Sequence, residues 1–217
     1  MTVLKFEKSA NRDGGPEHPP MFNIPPLTLY ALIAIIVIQV LQMLTPPDQG
    51  DVWYDLAFVP ARYWLLPDNM VWAIVSPFTH MFLHGGWLHV AMNGLMFMAF
   101  GAAAERMLGR RRAAILFVVC GLAGAAVQFA LAPQSPYPMI GASGALSGLF
   151  AAVIMRLMAS GSMPGGRFGI WGIAALWIGL SFASALIGGA IGFGNVAWAA
   201  HAGGFFAGMA MMRFAFK

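Results

Sequence analysis

Charge is the scarcest feature of this 217-residue chain: Asp, Glu, Lys and Arg together make up 9% of it, against about a quarter in an ordinary soluble domain. A chain this poor in charge cannot clothe a water-facing surface, which points to a bilayer as its solvent. It has no basic stripe with interleaved aromatics, so nucleic acid is not an expected partner. Its single cysteine, Cys120, excludes a disulfide framework within the chain. Set in the apolar run LFVVCGLAGA without a cationic neighbour, it reads as an inert buried thiol. Although His80 and His84 stand four residues apart, no H-E-x-x-H accompanies them and no acid lies near to serve as a base. They read as histidines hydrogen-bonded at the entrance to a helix, and no metal or cofactor is expected.

What the chain does have is apolar length: 59% of its residues are hydrophobic. Residues 1–26 are polar and proline-containing, lack the apolar core of a signal peptide, and read as a short disordered cytoplasmic tail. Residues 27–217 then read as one membrane domain. Apolar runs at about 27–44, 86–104, 113–132, 143–159, 168–190 and 196–214 are separated by short segments rich in Gly, Pro or charge. Six spans are therefore expected. With the tail inside, eleven of the twelve basic residues fall on the inner side, among them Lys5, Lys8, Arg12, the Arg110–Arg112 run, Arg156 and Arg213. Only Arg62 falls outside, as the positive-inside rule requires of six spans with both termini cytoplasmic. Glu105, followed by Arg106 and Arg110, reads as a salt-bridged inner helix end.

The first outer loop, roughly residues 45–83, is too long for a plain connection. It carries Trp53, Tyr54, Phe58, Tyr63, Trp64 and Trp72, rings suited either to anchoring at the headgroup level or to meeting a substrate; the anchor is the favoured reading.

Three spans carry polar groups at a common depth. Ser143 opens the fourth, in GASGALSG; His201 lies about five residues into the sixth, roughly 8 Å down at 1.5 Å per residue. His89 and Asn93, in HGGWLHVAMN, stand four apart on one face of the second. Such groups are costly in a bilayer unless they face the bundle or water, so each is a functional candidate. The stretch from Ser143 to Arg156 amounts to about 20 Å of helix, against a hydrocarbon core of about 30 Å. If Arg156 reaches the inner surface, Ser143 starts below the outer one, and the preceding loop APQSPYPMIGA must dip inward to a water-accessible pocket.

Close packing is written into the same stretches. Gly144 and Gly148 on the fourth span, and Gly204 and Gly208 on the sixth, have the four-residue spacing that lets membrane helices approach backbone to backbone; Gly141 lies just ahead of them. Alone, Ser143 reads as a packing serine bonded back to its own helix. With His201 at matching depth and a His89/Asn93 pair on a third helix, the set supplies nucleophile, base and oxyanion donors, the parts acyl transfer needs. All eight acidic residues lie elsewhere, so this would be a dyad.

From about Trp72 to Gly208 the chain resembles the rhomboid intramembrane serine proteases. HGGWLHVAMN resembles the family's second-helix motif, GASG its G-x-S-G nucleophile motif, and AHAGGFFAG its sixth-helix motif. The resemblance implies an all-α, six-transmembrane-helix rhomboid-like bundle with a long first outer loop. It further implies Ser143 as nucleophile, His201 as general base, and an oxyanion hole made of His89, Asn93 and the Ser143 backbone N–H. The chain departs from the family in the first outer loop, where Trp-Arg is common but Trp72 is followed here by Ala73, and at Ser147, where some members have an aromatic. The Ser147 hydroxyl could bond the dyad, a water or the Ser143 carbonyl, of which the last is favoured.

What the resemblance implies is a serine endopeptidase that cuts transmembrane protein substrates near the outer surface of a bacterial inner membrane. Substrates would enter between the second and fifth helices, where Trp171, Trp177 and Phe182 form a gate or face lipid. The alternative is a catalytically silent rhomboid-like protein that binds membrane clients; the presence of both Ser143 and His201 argues against it. A homo-oligomer is compatible with either reading.

Overall fold

The computed structural model describes residues 23–46, 51–65, 70–164, 168–188 and 197–216, so most of the expected tail lies outside the described residues. The described chain is built from helices: α1 (Pro26–Leu44), α2 (Asp51–Leu56), α3 (Arg62–Leu65), α4 (Met70–Thr79), α5 (Trp87–Met96), α6 (Ala102–Leu108), α7 (Arg110–Leu131), α8 (Ser143–Ala159), α9 (Gly169–Gly188) and α10 (Trp198–Phe214). A π-helical stretch, Phe97–Gly101, joins α5 to α6, so that Trp87–Leu108 runs as one long helix. Among the described residues, four helices are long and apolar enough to cross a membrane: Pro26–Leu44, Trp87–Leu108, Arg110–Leu131 and Gly169–Ile187. The α8 helix is shorter, at 17 residues.

That short helix is the centre of the bundle. From Gly144 to Ile154 every α8 residue but Phe150 is buried, packed between α7 and α10. Ile35, Val90, Phe97, Leu116, Cys120, Leu146 and Leu149 form its largest apolar cluster. Glycines set the spacing. A Cβ at Gly208 would overlap the Gly148 carbonyl, and one at Gly124 would sit 2.8 Å from the Ala200 carbonyl oxygen. Backbones that close make many small dispersion contacts, the main source of helix association in lipid.

Glu105 does more than pair with an arginine at a helix end. Its carboxylate accepts from the backbone N–H of Leu27 (3.0 Å) and Thr28 (2.9 Å) and from the Thr28 hydroxyl (3.0 Å). It thereby caps the amino end of α1, whose own N-cap residue, Pro25, offers no side-chain bond. Arg110 approaches it at 3.7 Å, whereas Arg106 donates instead to the Asn23 carbonyl.

The long loop between the first two spans is a scaffold as well as a rim. Tyr54, Tyr63 and Trp64 are exposed, but Ala57, Phe58, Val59, Ala61 and Arg62 are buried. Phe58 pairs with Met139 through two backbone bonds of 3.1 and 2.8 Å, and the Ala61 N–H donates to the Ser135 carbonyl at 3.0 Å. Irregular backbone ahead of Ser143 thus finds its hydrogen bonds in protein, the condition for non-helical chain at depth.

Candidate active site

Ser143 is the first residue of α8, and its N-cap residue, Ala142, provides no side-chain bond to the first turn. The first-turn N–H groups, which have no carbonyl partner within the helix, therefore give this end of α8 its partial positive charge. His201 lies in the first turns of α10. Its Nε2 stands 2.8 Å from the Ser143 Oγ. The two residues are brought together from 58 positions apart by the contact of α8 with α10. Both side chains are part-buried, so the pair lies at the edge of the bundle and not sealed within it.

The second face of the site comes from α5. Gly85 N–H donates to His89 Nδ1 at 3.3 Å, which makes Nδ1 the acceptor and leaves the ring proton on Nε2. That nitrogen points at Gly141: a Cβ there would come within 2.7 Å of it. Gly141 also has φ of +108°, a backbone state that suits glycine, and its N–H donates to the His80 carbonyl at 2.9 Å. Asn93 is buried, and its Nδ2 donates to the His89 carbonyl at 3.0 Å. One N–H of that amide remains to face the Gly141 turn, 3.9 Å from the same Cβ position. His84 packs edge-on to His89 with ring centroids 4.9 Å apart.

Gly144, Gly148, Gly204 and Gly208 all lie in the α8–α10 contact. Ser147 is fully buried, and its hydroxyl donates to the Ser143 carbonyl at 2.8 Å. The Trp177 indole N–H donates in turn to Ser147 Oγ at 3.1 Å. Of the three aromatics on the fifth span, Trp171 and Phe182 are exposed, whereas Trp177 is half-buried with its ring 6.4 Å from that of His201. His80 and His84 bond backbone carbonyls, Ser76 at 3.1 Å and Phe82 at 3.2 Å. Burial pushes each of these two loop imidazoles down to about 4.

Sequence reasoning missed Ser181. It is buried on α9, and its Oγ lies 3.0 Å from His201 Nδ1. Its only sequence signal is a hydroxyl in an apolar span, which most often bonds back to its own helix. It does that too, donating to the Trp177 carbonyl at 2.8 Å.

The family model described as the Rhomboid domain matches residues 68–217, which contain all three motif stretches. The rhomboid protease GluP of Bacillus subtilis is 28% identical over 178 residues, 78% of this chain and 34% of that protein. Rhomboid-type serine protease 2 of Emericella nidulans is 32% identical over 131 residues, 60% of this chain and 25% of that protein. Inactive rhomboid protein 1 of Drosophila melanogaster is 35% identical over 80 residues, 37% of this chain and 6% of that protein. The chain thus spans about a third or less of the length of these relatives. With most of its length matched by one family model and several helices long enough to span a bilayer, the chain is a multi-pass membrane protein that belongs to the rhomboid family.

Proposed function

We propose that this protein is an intramembrane serine endopeptidase using Ser143 as nucleophile and His201 as general base. The observation that carries the reading is the 2.8 Å approach of His201 Nε2 to Ser143 Oγ. In the first step Oγ attacks the scissile carbonyl carbon while its proton passes to Nε2. Negative charge then gathers on the former carbonyl oxygen. It meets the Ser143 N–H at the positive end of α8, the Nε2–H of His89 and the spare N–H of Asn93. As the tetrahedral species collapses, His201 returns the proton to the departing amine and Ser143 keeps the acyl group as an ester. Water attacks that ester by the same route in reverse, His201 taking its proton and restoring it to Ser143, and the new carboxyl end leaves.

Family membership supports transmembrane proteins as the substrates. The distribution of Lys and Arg supports cytoplasmic termini and a site opening outward, and the Bacillus relative supports a bacterial plasma membrane. The competing reading, a silent client-binding protein, has an inactive relative in its favour. A fluorophosphonate probe separates the two. The enzyme reading expects labelling and cleavage of a co-expressed single-span substrate by the native chain, and neither from Ser143→Ala. Cleavage that survives Ser143→Ala would sink the nucleophile assignment.

A further inference from the structure

A histidine base needs its second ring nitrogen held, and the chain's carboxylates all lie outside the stretches that form α8, α9 and α10. We propose that Ser181 fills this role as a positioning residue, holding His201 in the tautomer whose Nε2 is free to take the Ser143 proton. The proposal rests on the reading of Ser143 and His201 as nucleophile and base.

The tautomer of His201 depends on where one hydroxyl proton goes. Ser181 Oγ stands 2.8 Å from the Trp177 carbonyl oxygen, one helical turn back. A carbonyl can only accept, so that bond takes the Ser181 proton and leaves the oxygen's lone pairs free. His201 Nδ1, at 3.0 Å, then faces an acceptor and carries the ring proton. A neutral imidazole has one such proton, so Nε2 holds a lone pair directed at Ser143 Oγ, 2.8 Å away. The opposite tautomer would put a proton on Nε2 and disable it as a base. When Nε2 does take the Ser143 proton, the Nδ1–H···Oγ bond becomes charge-assisted and strengthens. The Ser181 dipole is already oriented for that moment by its bond to Trp177.

The same helix holds the other partner. One turn before Ser181, the Trp177 indole donates to Ser147, whose hydroxyl donates to the Ser143 carbonyl. Ala174 and Ser181 are the buried side chains among the described residues of α9, whose other described residues are exposed or half-buried. The buried hydroxyl of Ser181 has its hydrogen bonds to the Trp177 carbonyl and to His201 Nδ1.

The test uses the full chain purified in detergent, as native protein, Ser181→Ala and Ser181→Thr, with Ser143→Ala as reference. Three quantities are read: the rate of fluorophosphonate labelling, kcat and KM on a model transmembrane substrate, and the His201 tautomer from long-range proton–nitrogen correlation on histidine-labelled protein. Ser181→Ala is expected to slow labelling and lower kcat on the order of ten-fold, the worth of one hydrogen bond to a developing charge. KM should stay within about two-fold, because substrate binding is untouched. Ser181→Thr, which keeps the hydroxyl, should restore most of the loss. Native protein should show the proton on Nδ1, a pattern that Ser181→Ala erodes. A native His201 protonated on Nε2, or a Ser181→Ala variant with unchanged kcat, would overturn the inference even if Ser181→Ala folds poorly, since the first result needs no variant. If Ser143→Ala still cleaves substrate, the nucleophile reading fails instead, and the tautomer spectrum continues to decide the role of Ser181 on its own.

Discussion

Gly204 lies so close to Gly144 that a Cβ at position 204 would overlap the Gly144 carbonyl, whose carbon would be 2.7 Å away. Gly144 follows Ser143 directly, and Gly204 stands one turn beyond His201. The contact is therefore the fulcrum on which the hydroxyl and the imidazole meet. Gly204→Ala is expected to destabilise the bundle by about 1–3 kcal/mol, since the neighbour is backbone and cannot rotate aside. It should also lower kcat by separating Ser143 from His201. Gly179→Ala, on open α9 surface with nothing within 4 Å, is the matched control and should be neutral or stabilising. Thermal unfolding in detergent reads both, and equal melting of the two variants would contradict the fulcrum.

That contact was legible in the sequence, whereas the hydroxyl behind His201 was not. Four-residue glycine spacing and shared depth depend only on helix geometry, so they carry over from sequence to structure unchanged. Ser181 is different because α9 is apolar all round, and no periodicity tells which face its one buried hydroxyl presents. Glu105 was legible only in part for a related reason: local charge pattern points to Arg106 and Arg110, and Arg110 does approach it at 3.7 Å, but its shortest bonds come from N–H groups nearly eighty residues away. The long loop reads from composition as an interfacial anchor. Its buried half is fixed by pairing of Phe58 with Met139, a relation that no local pattern encodes.

Asn93 offers a sharper test of charge stabilisation than of folding. Its Nδ2 uses one N–H on the His89 carbonyl at 3.0 Å, and its Oδ1 is buried with no hydrogen-bond partner among the described residues. Removing the amide therefore relieves an unsatisfied acceptor while deleting the N–H that the proposed mechanism directs at the oxyanion. Asn93→Ala is expected to lower kcat by about 10²–10³-fold with little loss of stability, the usual effect of one such donor. A variant whose KM rises while kcat holds would show that Asn93 binds substrate uniformly and is no oxyanion donor.

The two loop histidines make stability depend on acid. His80 and His84 are both buried, and burial lowers each from 6.5 to about 4. Folding therefore favours the neutral rings, and the unfolded chain binds more protons between these values. Their stabilising contribution is full above pH 6.5 and is lost as pH falls from there to about 4. Melting temperature in detergent should decline across that window. His80→Gln should flatten the decline, and an unchanged slope in that variant would place the acid sensitivity elsewhere.

Arg62, the one basic residue expected on the outer side, is only 3% exposed. Its guanidinium donates to the carbonyls of Asp55 (2.7 Å), Tyr54 (3.0 Å) and Ala57 (3.3 Å), pairs with the Asp55 carboxylate at 3.3 Å, and stacks 5.5 Å from the Tyr54 ring. Five N–H groups in a fixed fork can serve three carbonyls at once; a lysine ammonium cannot reach them all. Arg62→Ala is expected to cost about 2–4 kcal/mol by leaving buried acceptors unpaired, and Arg62→Lys an intermediate amount. Because Phe58 and Ala61, on either side of this fold of the loop, hold Met139 and Ser135 ahead of Ser143, kcat should fall in step with melting temperature. A fall in kcat at unchanged melting temperature would mean instead that Arg62 acts on the site directly, by a route other than the scaffold.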